Sequence, residues 1–297
     1  MISVPAVYEV MYRKVMKTID KNVYASTQID DEFKDKDQIY IGRTFLRDGR
    51  RRKRMTIAMT AFKEKIRRKE LYIVSAIGIV VLLIFGTGTG TLSIDGVAIT
   101  DYTMLAPILL VVLNALACIL AFITSFSTIP NEYERRTSHL VWIRNVSQAR
   151  YHGELTLANI LAGLVSEAIL FVVLFIFMLT NGRAAELWRL IPVYLIIAIN
   201  VVIVSTLTSI LSIVIPKTFA ASISVVATLV GIFHGLLYLL KDVIGGFGGM
   251  LVKYVLKILP DLHSIQSQAG NVLCGRDFDI HTILVGLLFA YIFTVLI

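Results

Sequence analysis

Charge is scarce in this sequence. Only 17% of its 297 residues are Asp, Glu, Lys or Arg, against 56% hydrophobic, and the mean hydropathy is +0.75. A water-soluble domain of this length needs more polar surface to cover its core. Cysteine is scarce too. Cys118 lies inside an apolar run and Cys274 in a polar segment, so no structural disulfide is expected between them. No glycine is followed by lysine anywhere, which excludes the phosphate-binding loop G-x-x-x-x-G-K-[ST]. The five histidines include no H-E-x-x-H and no close Cys/His grouping, so zinc is not expected. The G-x-S-x-G nucleophile elbow is missing as well. The glycine-rich FGTGTGTL at 85–92 ends an apolar run and reads as a flexible span end, not a phosphate cradle. The polar start does not have the form of a signal peptide.

Long apolar runs fill the space that these absences leave. A stretch of 18 or more apolar residues reads as a membrane span, because about 20 helical residues cross the hydrocarbon layer. Solid rather than alternating apolarity favours helices over a barrel. The expected fold is therefore all-α: a polytopic membrane protein with six transmembrane helices. The runs are Leu71–Leu92, Met104–Phe126, Leu155–Leu179, Leu190–Ile215, Phe219–Leu240 and His281–Ile297.

The basic residues set an orientation. Residues 1–70 carry 18 of the 29 Lys and Arg. The segment 127–154 adds Arg135, Arg136, Arg144 and Arg150, and Lys217 follows span four. The alternate loops hold only Arg183, Arg189, Lys241, Lys253, Lys257 and Arg276. Positive loops stay inside, so both termini are expected to be cytoplasmic. The net charge of +8 then reflects loops facing the cytoplasm and anionic lipid, not nucleic acid.

The expected organisation is a cytoplasmic segment 1–50, an interfacial amphipathic helix 51–70, and a six-span domain 71–297. Within the 51–70 helix, Ile57, Ala61, Phe62 and Ile66 fall near helical spacing while Lys and Arg fill the other face. A solvated charged helix is the alternative. The outer segment 241–280 has a glycine cluster and then an apolar face stopped by Pro260, as in a short helix on or in the outer leaflet.

Polar residues inside spans are few. Glu167 in span three is costly there unless protonated, paired or facing water. It is a translocation-path candidate, with a packing role as the alternative. Asn114, Asn200 and His234 are expected to make interhelical hydrogen bonds. Gly231 and Gly235 form a G-x-x-x-G pair that permits close helix approach, as a packing contact or a dimer seam.

The most polar interior segment is NEYERRTSHLVWIRNVSQARYHGE, Asn131 to Glu154. Its charges and its Leu140–Ile143 apolar cluster suit short helices docked on a protein partner. It reads Glu132-Tyr-Glu134-Arg-Arg136-Thr137, then Leu140-Val-Trp-Ile143, then Asn145-Val-Ser147-Gln148 and Gly153-Glu154. This resembles the conserved pattern of ATP-binding-cassette type-2 permeases, close to E-x-E-x-G-T, an apolar run, P-V-S-R and G-K. Arg136, Asn145, Gln148 and Glu154 depart from that pattern.

The resemblance implies the membrane subunit of an ATP-driven exporter, in a plasma membrane and bacterial. Such a subunit is not an enzyme itself and binds no cofactor. ATP and Mg would be held by a separate ATPase subunit in two copies, and a second permease copy would complete a homodimer, or a sister chain a heterodimer. The coupling residues carried over are Glu132, Glu134, Arg135, Thr137, Leu140, Trp142, Ile143 and Arg144. An ion-coupled secondary transporter, expected to show internal repeats and broken helices, is a second class. A membrane scaffold or sensor subunit is a third.

Overall fold

Backbone N–H and C=O groups in lipid must be satisfied within their own segment, and a helix does this. The computed structural model describes residues 56–67, 69–86, 93–94, 97–98, 102–134, 146–244 and 246–297. The segment 1–50 and the basic run at 50–54 lie outside the described residues. Among the described residues, regular structure is helical apart from one short strand pair. In chain order the elements are α1 (Thr56–Arg67), α2 (Lys69–Gly86), the antiparallel strands β1 (Ser93–Ile94) and β2 (Val97–Ala98), α3 (Tyr102–Phe126) and α4 (Thr128–Glu134). Then come α5 (Gln148–Thr180), a 3-10 turn at Ala184–Arg189, α6 (Leu190–Val214), α7 (Lys217–Ile232) and α8 (His234–Ile244). The chain closes with α9 (Gly246–Ile258), α10 (Leu262–Leu273) and α11 (Ile280–Val295).

The six apolar runs fall on α2, α3, α5, α6, α7 with α8, and α11. Among the described residues, three stretches are long and apolar enough to cross a membrane: Met104–Glu134, Gln148–Thr180 and Ala184–Val214. The α7–α8 pair makes a fourth if it is counted as one bent span.

Helix α6 is the axis. It touches α3, α4, α5, α7, α10 and α11, as expected of a helix apolar on every face. Its second half reads STLTSILS, and Ser205, Thr206, Thr208, Ser209 and Ser212 are all buried. Thr206, Ser209 and Ser212 donate back to the carbonyls of Val202, Ser205 and Thr208 at 2.7–2.8 Å, which satisfies them within the helix. Such small side chains let neighbouring backbones come close. Gly163 of α5 uses that room: a Cβ there would stand 2.8 Å from Val201 Cγ1. Leu109, Leu110 and Leu113 of α3, Leu170 and Leu174 of α5, and Ile197 and Ile203 of α6 fill the core between these helices.

The fifth run is not one straight helix. α7 and α8 meet at 77° around Phe233. The Pro260–His263 turn packs into the bend. A Cβ at Gly231 would lie 2.8 Å from Leu262 Cγ, and one at Gly235 would lie 2.7 Å from His263 Cδ2. The glycine pair therefore straddles a break and meets its own chain, instead of lining one face of a helix. His234 binds the same turn, with Nδ1 3.1 Å from Asp261 Oδ2 and Nε2 3.3 Å from the Leu256 carbonyl.

The segment 241–280 holds more helix than its sequence suggests. After α9, Pro260 interrupts, and α10 follows with Leu262, Ile265, Gln266, Ala269, Gly270 and Leu273 buried. Asp261 caps it, accepting from Ser264 N at 2.8 Å. The Leu262 carbonyl accepts from Asn200 Nδ2 at 3.0 Å, and the Leu273 carbonyl from Arg189 Nη1 at 3.4 Å. Asn200 lies about 15 Å into α6 by helical rise, so α10 runs back over the first half of that helix. Its pattern of buried positions, spread among Ser, Gln and Asn, hid it from a search for apolar runs. α11 starts at Asp279, whose carboxylate accepts from His281 N and Thr282 N. The Thr282 side-chain hydrogen bond leads in holding that carboxyl below the usual Asp range.

Overpacking the α5–α6 contact should be costly. Gly163→Val is expected to destabilise the chain by about 1–3 kcal/mol, read as an earlier loss of the monodisperse size-exclusion peak on heating in detergent.

Candidate functional site

One end of the bundle carries Glu132, Glu134 and Glu154. There α3 passes into α4, α5 begins, α6 ends, α7 begins and α1 lies alongside. A Pro at 130 and three polar residues after it make α4 a short exit helix. Ser147 caps α5, its Oγ accepting from Arg150 N at 3.4 Å.

Glu132 and Glu134 both lie on α4. Glu132 Oε2 accepts from Tyr151 OH at 3.0 Å. Its neighbour Tyr133 places its hydroxyl 2.9 Å from His152 Nε2, and the two rings are 5.8 Å apart. Glu134 is exposed, with Oε1 3.6 Å from Lys217 Nζ, and the same ammonium donates to Asn131 Oδ1 at 2.7 Å. An exposed pair of that length contributes little by itself. The two tyrosine contacts join the exit of α3–α4 to the entry of α5. Of the residues expected to couple, Arg135, Thr137, Leu140, Trp142, Ile143 and Arg144 lie outside the described residues.

Behind these contacts runs a buried chain of hydrogen bonds. Thr128 Oγ1 donates to Asn159 Oδ1 at 2.9 Å, and Asn159 Nδ2 donates to Ser209 Oγ at 3.0 Å. It crosses α4, α5 and α6. Lys65 of α1 enters the same network, its ammonium donating to the Thr124 carbonyl and to Thr128 Oγ1. Lys65 is only 4% exposed, so α1 does not keep all its cations on one solvated face. Its Ile57 and Ala61 pack on the cluster of Ile129, Tyr151 and Leu155. Part of the face expected to meet lipid therefore meets protein.

Glu154 explains how α1 is held. Its Oε2 accepts from the backbone N–H groups of Ile57 and Ala58 at 3.1 and 3.2 Å, and its Oε1 from Arg150 Nε at 2.9 Å. A carboxylate suits the first turn of a helix, where N–H groups are unsatisfied and the dipole is positive. A lysine at this position would have no acceptor to offer those two N–H groups. The partners are nearly a hundred residues apart, so no local pattern announces the pair. Tyr133, Tyr151, His152, Lys65 and Asn159 escaped sequence reasoning for the same reason.

Glu167 stands apart from this end. It is fully buried on α5, and neither carboxylate oxygen has a hydrogen-bond partner. Cys118 of α3 and Tyr194 of α6 are its polar neighbours. Tyr194 OH donates to the Leu164 carbonyl at 3.1 Å. Nearby, Asn200 Nδ2 donates to Asn114 Oδ1 at 3.0 Å, the interhelical bond expected of both residues. Gly231 and Gly235 face Leu262 and His263, far along the chain from the coupling segment. Among the described residues no group of three His, Cys, Asp or Glu side chains could hold a metal ion.

No protein-family model matches the chain, and no curated protein matches it.

The anchoring role of Glu154 has a direct test. Glu154→Lys should raise amide hydrogen exchange at Ile57 and Ala58 about fivefold, as expected for loss of a cap. Exchange in the core of α6 should stay unchanged.

Proposed function

We propose that this chain is the permease subunit of an ATP-driven exporter, with six spans and both termini in the cytoplasm. A pair of ATPase subunits on a separate chain drives it through the segment 127–154. The observation that carries this reading is a bracket of contacts within that segment. Tyr151–Glu132 and Tyr133–His152 tie its entry to its exit, and the Thr128–Asn159–Ser209 bonds fix both to α6. A force applied between these tied ends reaches α3, α5 and α6 together. The lack of a phosphate-binding loop supports an external source of energy. In this reading the bracketed end is cytoplasmic, in keeping with the Lys and Arg distribution. A second permease copy completes the pathway in a bacterial plasma membrane, and ATP with Mg binds only to the partner.

One observation favours the ion-coupled class. The 77° break at Phe233, with α10 covering half of α6, is the kind of interrupted helix that secondary transporters use. Among the described residues the break has no second, inverted counterpart. Flux in proteoliposomes separates the two: the exporter needs ATP and its ATPase and ignores ionophores, whereas the ion-coupled transporter shows the reverse.

Two results test the assignment of residues. Reversing charge at both Glu132 and Glu134 should lower substrate-stimulated ATP hydrolysis of the reconstituted complex about tenfold, within the usual range of coupling energies, with membrane insertion intact. Unchanged stimulation would refute coupling through α4. Glu167→Gln should alter transport more than assembly. A Glu167→Cys variant that no aqueous thiol reagent reaches in any nucleotide state would remove Glu167 from the pathway.

A further inference from the structure

Among the described residues Glu167 is the only buried carboxyl group. Its face of α5 is otherwise small or apolar, since Gly163, Leu170 and Leu174 recur at helical spacing and all are buried. The donors around it are committed elsewhere. Ser166 Oγ, next to it on α5, donates to the Ala162 carbonyl at 2.9 Å. Tyr194 OH of α6 donates to the Leu164 carbonyl. The Cys118 thiol of α3 lies 3.8 Å from Asn114 Oδ1. A hydroxyl or thiol carries one proton, so none of the three has another to give to Glu167.

No cation stands opposite it either. Cys118 and Tyr194 are the titratable groups that face it. On α5 itself Glu154 is about 20 Å away by helical rise. The 3-10 turn packs at the far end of α5, where Arg183 and Arg189 both bond Glu186. The acids of α4 sit at the opposite end, beside Tyr151 and His152. α2 meets this part of α5 through Gly78, against Leu170, and its Lys69, Glu70 and Tyr72 lie in its first turn. A carboxylate without donors, cations or water is far costlier than the neutral acid.

We propose that Glu167 is a proton-binding site: the closed packing of α3, α5 and α6 holds its carboxyl as the neutral acid, and parting these helices releases the proton to water. On release the O–H bond breaks, the electron pair stays on the carboxylate and a water molecule takes the proton. The closed form keeps a proton that the open form gives up, so raising the pH favours opening. The site rests on packing and stands whether or not ATP drives the chain.

Infrared spectra of the full chain in phosphatidylcholine vesicles at neutral pH test the bound proton. The unaltered chain minus Glu167→Gln should show the C=O stretch of a protonated carboxyl, shifted in heavy water and equal in sodium and choline buffers. A carboxylate band in its place would overturn the site, and one that needs sodium would show a bound metal cation instead. If Glu167→Gln does not assemble, the unaltered chain with carbon-13-labelled glutamate decides. A protonated glutamate band is then expected, and its absence overturns the proposal.

Release has its own readout. Cys118 is fully buried beside Glu167, so N-ethylmaleimide reaches it only when the helices part. In a Cys274→Ser background its labelling rate should rise about a hundredfold per pH unit between about pH 6 and 8. About tenfold comes from the thiolate and about tenfold from the one proton lost on opening. With Glu167→Gln added, the rise should be only about tenfold, the thiolate share. Equal slopes in the two chains, or no labelling of either, would overturn release on opening.

Discussion

The amide of Asn200 holds three helices at one point. Its Nδ2 donates to Asn114 on α3 and to the first carbonyl of α10, from a fully buried position on α6. Stranding buried partners of this kind costs about 1–3 kcal/mol each. The larger consequence is topological. A helix starting halfway across an apolar layer exposes backbone groups that lipid cannot satisfy. α10 can start at that depth because Pro260 has no N–H and Asp261 caps the first turn, accepting from Ser264 N, while Asn200 ties the turn to α6. With α10 fixed there, the Pro260–His263 turn occupies the space at Gly231 and Gly235, and α7 must bend away into α8. The break, the α8–α9 excursion and the return all meet at this capped turn, which Asn200 holds against α6.

The other end is stiffened by different means. No single contact is strong there, and the exposed ion pair contributes little. The side chains are linked in series: Lys65 to Thr128, Thr128 to Asn159, Asn159 to Ser209. Buried networks of this sort hold one arrangement because each member loses its partner if a neighbour moves. The tyrosine contacts of Glu132 and His152 extend the network across α4 and the start of α5. Glu154 brings in α1, so α1 and the long helices α3, α5 and α6 share one base.

Residues with strong local signals were legible in the sequence. The runs on α3, α5 and α6 announce helices because nothing interrupts them, and Asn114 with Asn200 announced a contact because an amide in such a run needs a partner. Glu132 stood out through its pattern. What stayed hidden depends on pairing between distant positions. Glu154 departs from a resembled pattern for a reason visible only when α1 lies beside α5. Lys65 fits a solvated face by periodicity, yet the Thr124 carbonyl offers it a buried partner. The bend at Phe233 carries no proline, so its cause lies in the turn that packs against it. Helix α10 mixes polar with apolar residues because it is covered by α6 and α3 rather than by lipid, and a hydropathy search misses such a helix.

The hairpin of α8 and α9 has a mechanical consequence. Helix α8 turns 77° away from α7, so in a bilayer that α7 enters along the normal, α8 would lie largely within one monolayer. Curvature stress and lateral pressure in that monolayer act on the hairpin and, through His234 and the Asp261 cap, on the point where α10 rests against α6. The lipid surrounding the protein is in that sense one of its mechanical partners.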